Sequence, residues 1–160
     1  MPQHEQVRPV LIDRSAIGSM EEKKFVHPLN AGAIRWTRSL GDACGLTSLG
    51  VHLVRVKPGD HSTEFHFHHH DEEWIYILSG RAMAQIGDEE YPVDAGDFMG
   101  FVAGSKPHGM VNSGDEDLVY LVGGNRLAFD VCDYPKLRKR RYRTNGKSYF
   151  VKWEQIEEPG

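Results

Sequence analysis

The chain has 160 residues and a formal net charge of −4, with 39% apolar and 26% charged residues. That length is enough to bury one core, and that balance marks a folded globular protein rather than a disordered chain. The charge excludes a global attraction to nucleic acid or anionic membrane, and no apolar run approaches the roughly 20 residues that span a bilayer.

The polar start, with Pro2 and Pro9, lacks the apolar stretch of a secretory leader, so a cytoplasmic protein is expected. Neither nucleic acid nor membrane is expected as a partner. Cys44 and Cys132 lie far apart, form no C-x-x-C pair, and are expected as two reduced thiols.

Residues 1–45 read as an N-terminal arm packing on a β-rich body, with a short helical start at Asp13–Met20 and a Pro/Gly-broken segment from His27 to Gly32. From Gly45 the texture changes to short β-rich runs at Leu49–Lys57, Thr63–His69, Glu73–Leu78, Ala82–Ile86, Phe98–Val102, Gly109–Asn112 and Leu118–Val122. Every break between them except His70–Glu72 contains Gly, usually beside Asp, Pro or Ser, the residues of tight turns. Short strands with short connections predict an all-β antiparallel sandwich or barrel. The barrel is placed at 46–131 and a C-terminal extension at 132–160, in one domain overall.

Alternation along Leu49–Lys57 puts His52, Val54 and Val56 on one face, so His52 reads either as a satisfied core histidine or as a neighbour of a site. Five of the nine histidines fall between His61 and His70. His66 and His68 are two apart on a strand and share a face, Glu73 opens the next run after an Asp-containing turn, and His108 heads another run farther along. Three imidazoles and a carboxylate suit one divalent transition metal ion (Zn, Mn, Fe, Ni or Co) far better than Ca or Mg. His61, His69 and His70 read as bystanders, the last two in a solvated turn. Glu64 either faces the same cavity, where it is a candidate general base, or sits solvated at the rim. Met99 and Phe101 alternate inward as the apolar wall of a substrate pocket or as core. Asn112 is expected to bond turn backbone.

The basic stretch from Lys136 to Arg143 offers Arg forks that suit nucleic acid or a phosphorylated ligand, but with a negative net charge and no nucleic-acid-binding motif it reads as a solvated segment pairing with acidic residues. The apolar run Tyr149–Trp153 is expected to cover a barrel edge or add a strand to a partner, which favours a homodimer.

Two blocks of this sequence resemble the paired motifs of the cupin superfamily. The first is Gly59, then His66-x-His68, four residues, Glu73, six residues and Gly80, with one residue more than the family pattern between Gly59 and His66. In the second, Asp94 stands where the family has Pro, Gly96-Asp97 is kept, eleven residues separate Gly96 from His108, and His108-x-x-x-Asn112 matches. The resemblance covers roughly Leu49 to Gly123 and implies a double-stranded β-helix, or jelly-roll barrel, with His66, His68, Glu73 and His108 as metal ligands and a homodimeric habit. The chain is similar to small single-domain bacterial cupins loosely grouped with sugar-phosphate isomerases. Three readings are open: an isomerase or epimerase of a small hydroxycarbonyl or sugar-phosphate compound, working through metal-stabilised enediolate chemistry, an iron-dependent dioxygenase, and a non-catalytic metal or small-ligand binding module. The fold alone does not separate them.

Overall fold

The computed structural model describes residues 8–159. Among these, thirteen strands form three sheets, and every strand-to-strand ladder is antiparallel. The largest sheet has six strands in the order β1 (Lys23–His27), β2 (Asn30–Ser39), β3 (Leu49–Val56), β10 (Leu118–Asn125), β5 (Glu73–Ser79) and β8 (Phe98–Phe101). A four-stranded sheet runs β13 (Lys147–Lys152), β12 (Lys139–Thr144), β11 (Phe129–Tyr134) and β4 (Phe67–His68). A three-stranded sheet runs β7 (Glu89–Asp94), β6 (Arg81–Ile86) and β9 (His108–Asn112). The all-β jelly-roll expectation is met.

Directly paired residues share a face, so register shows what points inward. Val54 pairs with Tyr120, which pairs with Ile77. One step along, His52, Val122, Ile75 and Met99 form a parallel row. These rows meet Ala82, Ala84 and Met110 from the smaller sheet in one apolar cluster. Two glycines permit close approaches. Gly80 has φ +79°, and a Cβ there would stand 2.7 Å from the Asp117 carbonyl. At Gly124 a Cβ would stand 2.3 Å from the Glu72 carbonyl, so the strand carrying Glu73 can lie against β10.

The short helix α1 (Arg14–Ser19) forms where the helical start was expected, capped by Asp13, whose carboxylate accepts the Ala16 N–H at 2.8 Å. Within the expected broken stretch His27–Gly32 the break is confined to Pro28 and Leu29, the turn of the β1–β2 hairpin, while His27 ends β1 and Asn30 opens β2. β7 also escaped the strand pattern, because an exposed edge strand tolerates Glu89, Glu90 and Pro92. The expected run Thr63–His69 is a strand only at Phe67–His68, with single bridges at His61 and His66. Cys44 and Cys132 are both free thiols. No helix among the described residues is long and apolar enough to cross a membrane.

Candidate metal centre

His66 and His108 face each other across an isolated antiparallel bridge, joined by reciprocal backbone hydrogen bonds of 3.1 and 2.8 Å. Their ring centroids lie 4.7 Å apart, and those of His66 and His68 lie 5.0 Å apart. Glu73 enters from the start of β5, opposite Gly124 and Phe101. Its two oxygens lie 3.2 Å from His108 Nε2 and 3.9 Å from His68 Nε2. The four residues singled out by spacing therefore come together in space.

The tautomers follow from the outer partners. His66 Nδ1–H donates to the Glu64 carbonyl at 2.9 Å, and His68 Nδ1–H donates to the Asp130 carboxylate at 2.7 Å. His108 Nδ1 has the Lys106 carbonyl at 3.4 Å. Carbonyls and carboxylates only accept, so the protons sit on Nδ1 and the Nε2 lone pairs turn toward Glu73. Two acceptors, His108 Nε2 and Glu73 Oε1, then face each other, and such a pair needs a proton or cation between them. Burial, the largest influence, pushes the His66 imidazole down to about 3, which keeps it neutral and able to ligate. Burial pushes the Glu73 carboxyl up, while any proton shared with His108 or the other imidazoles pulls it down, so a carboxylate rather than a neutral acid faces the histidines. This donor set fits a first-row divalent ion.

Two other groupings lie close by. Cys132 stands near His66 and His68, and Asp71 and Asp130 stand near His68. Burial pushes the Cys132 thiol up to about 12, away from the thiolate that would ligate. Asp130 is fully buried and already engaged, accepting from His68 and from the backbone N–H groups of His70 and Asp71 at 3.2 Å. Burial raises its carboxyl, yet the His68 bond and these donors bring it down to about 2. Asp71 accepts from Arg143 at 2.6 Å. Both aspartates are thus supports rather than open donors, and Asp130 orients His68 in the manner of a carboxylate behind a metal-binding imidazole. Sequence spacing missed Asp130, which lies beyond both motifs. The available signal was the strand-like run Phe129–Tyr134, in which alternation puts Asp130 on one face with Cys132 and Tyr134.

A cavity of about 470 Å³ opens beside the cluster and is lined in part by His52, Met99 and Phe101. Phe101 stacks on His108 with 3.5 Å between centroids and 5° between planes. His52 Nδ1 lies 3.0 Å from Ser39 Oγ, and burial, followed by Arg126, lowers its pKa. Glu64 is placed differently from the cavity-facing alternative: its side chain does not line the cavity, and its carboxylate accepts from Asn30 Nδ2 at 2.7 Å. It is also not solvated at the rim, because it is buried. Asn112 donates to the carbonyls of Val56 and Glu116 and accepts from Gly114 N–H, pinning the turn before β10. His69 is less of a bystander than its turn position suggested, since its Nε2 lies 2.9 Å from the Asp133 carboxylate.

The sequence profile of the cupin domain matches residues 52–124. Among curated proteins no sequence gives a significant match. A provisionally named sugar phosphate isomerase from Acidithiobacillus ferrooxidans is 43% identical over 94% of this chain and 96% of its own, with a TM-score of 0.91. A sugar phosphate isomerase of the cupin superfamily from Silicibacter pomeroyi is 27% identical over 93% of this chain and 96% of its own, with a TM-score of 0.80. A polyketide cyclase from Streptomyces resistomycificus, 21% identical over 72% of this chain and 80% of its own, shares the fold alone at a TM-score of 0.60. Profile, near-full-length similarity and converging histidines agree, and the chain belongs to the cupin superfamily.

Proposed function

We propose that the protein is a metal-dependent isomerase or epimerase of a small hydroxycarbonyl compound, a sugar phosphate in the first instance. The observation that carries this reading is the set of three inward Nε2 atoms and the Glu73 carboxylate beside a cavity of about 470 Å³, a size suited to a small metabolite. The names of the two similar bacterial proteins favour the same class. When bound, the ion supplies Lewis acidity to the oxygens of such a compound.

The chain's own residues do the rest. His66, His68, Glu73 and His108 hold the ion, and Asp130 keeps the His68 proton on Nδ1. Phe101 and Met99 form the apolar wall that limits water. With Glu64 turned toward Asn30, His52 takes the role of proton acceptor in this reading, since it is a neutral imidazole lining the cavity. We also propose a homodimer, supported by the exposed edge strand β13 with Tyr149 and Phe150 on its surface; a monomeric mass in light scattering would reject it.

Metal analysis of purified protein, combined with NMR detection of solvent deuterium entering the carbon next to the carbonyl of aldose and ketose phosphates, tests the main reading. Exchange with the wild type, lost in His52→Gln at unchanged metal content, is the expected result. Iron with substrate-dependent oxygen uptake and no exchange would make the protein a dioxygenase instead. His66→Ala and His108→Ala should each strip the metal, and full metal content in both would refute the ligand set.

A further inference from the structure

Of the four arginines lining the cavity, two have acidic partners. Arg126 meets Asp42 and Arg143 meets Asp71, each at 2.6 Å. Arg140, on the same strand as Arg143, meets Asp133 at 2.7 Å, and Arg138 meets Glu154 at 2.8 Å. Arg35 and Arg141 differ. Among the described residues neither has a carboxylate within ion-pair distance. Arg141 Nε is buried and has no hydrogen-bond partner. Arg35 reaches only the Ser62 carbonyl at 3.3 Å and the face of Phe25 at 4.5 Å. A buried guanidinium N–H left without a partner is costly, and an anionic ligand is what would offset that cost at Arg141.

Their placement converges. Arg141 on β12 pairs with Cys132 on β11, which pairs with His68 on β4. Paired residues share a face, so Arg141 stands on the face that carries His68, two strands and about 10 Å away along the backbone. Arg35 arrives from the six-stranded sheet. Its neighbour Thr37 pairs with the core residue Val54, which puts Arg35 on the inner face as well. Both arginines line the cavity that holds His66, His68, Glu73 and His108. Both also act on His27, whose imidazole is lowered to about 4 by burial first and then by Arg35 and Arg141. His27 Nδ1 accepts the Leu29 N–H at 3.1 Å, so the ring is neutral and offers no counter-charge.

The carboxylates lining the cavity are Asp71, Glu72 and Glu73. Asp71 is committed to Arg143, Glu73 to the histidines, and Glu72 lies exposed. We propose that Arg35 and Arg141 form an oxyanion subsite that takes the phosphate ester or carboxylate of the substrate, while its oxygen-bearing end lies at the histidine cluster. The reaction at that end rests on the isomerase reading; the anion subsite does not. Guanidinium forks from two sheets suit both oxyanions, so the substrate is an anionic hydroxycarbonyl compound rather than a neutral sugar.

Calorimetry on the full-length, metal-containing protein with inorganic phosphate and with malonate tests the subsite, using wild type, Arg35→Met, Arg141→Met and Arg141→Lys, with metal content measured in each. Phosphate or malonate should bind the wild type, and each Met variant should weaken the preferred anion by about ten-fold or more, the loss of one charge-assisted hydrogen bond. Metal content should not change. Arg141→Lys should fall between, keeping charge but losing the fork. Preference for phosphate assigns phosphate esters, and preference for malonate assigns carboxylates. No binding of either anion to the wild type, or unchanged binding in Arg35→Met together with Arg141→Met, would overturn the proposal. Should Arg141→Met fail to fold, Arg35→Met and Arg141→Lys decide alone. Arginine-dependent anion binding without deuterium exchange sinks the isomerase reading only; exchange with arginine-independent anion binding sinks this one only.

Discussion

At Asp130 two tasks compete for one carboxylate. Oδ2 accepts the His68 Nδ1–H, while Oδ1 accepts the backbone N–H groups of His70 and Asp71. Asp130→Asn keeps the volume but offers only one acceptor oxygen. If that oxygen stays on the backbone donors, the new amide NH2 faces His68 Nδ1, and the imidazole must carry its proton on Nε2, the atom that would ligate. Metal affinity should therefore fall by about 10- to 100-fold with the fold intact, as read by competition with a chelator of known affinity. Unchanged affinity would show that His68 needs no orienting carboxylate.

At the scale of elements, the cluster depends on how closely β5 approaches β10. Gly124 lies opposite Glu73, and a Cβ there would meet the Glu72 carbonyl at 2.3 Å, a backbone atom that cannot rotate away. Gly124→Ala should push the start of β5 outward, cost about 1–3 kcal/mol in stability and reduce metal content, because Glu73 moves with its strand. A variant that keeps both stability and metal would show that this approach is not needed. The N-terminal segment is fastened by a different device. Glu22 meets Arg55 at 2.6 Å and Arg38 at 3.2 Å, joining the chain before β1 to β2 and β3. The Arg55 hydrogen bond is the main cause holding the Glu22 carboxyl below its ordinary value of 4.5, against the opposing effect of burial. A depressed carboxyl contributes stability that is complete above its unfolded pKa and is lost as pH falls below it. Glu22→Gln should therefore cost about 0.5–1 kcal/mol at neutral pH, with the difference shrinking as unfolding is measured below pH 4.5. A difference independent of pH would assign the loss to packing instead of charge.

For the molecule as a whole, what could be read from the sequence divides by contact range. Alternation placed Val54, Val56, Met99 and Phe101 inward, and spacing brought out His66, His68 and Glu73, because neighbours on one or two strands leave a local pattern. His108 came out through its spacing to Asn112 and the resemblance that spacing carries, whereas Asp130, Arg35 and Arg141 meet the others only through strand pairing between distant segments, which a single sequence does not encode. The same separation gives an ion in this cluster mechanical consequence. The residues that would hold it come from β4 and the residue before it, from β5 and from β9, which belong to three different sheets. An ion bound to all of them in the folded state and to none in the unfolded state adds RT ln(1 + [L]/Kd), about 2.7 kcal/mol at a hundred-fold excess over Kd. For a domain of this length each kcal/mol moves Tm by roughly 2–4 °C, so chelation should lower Tm by about 5–10 °C. Restoring the metal should reverse the shift, and His66→Ala, with no ion to lose, should melt at one temperature with or without chelator. Equal melting of the wild type in both conditions would mean that the three sheets close around the cavity without help from an ion, and that the histidines are held in position by their outer hydrogen bonds alone.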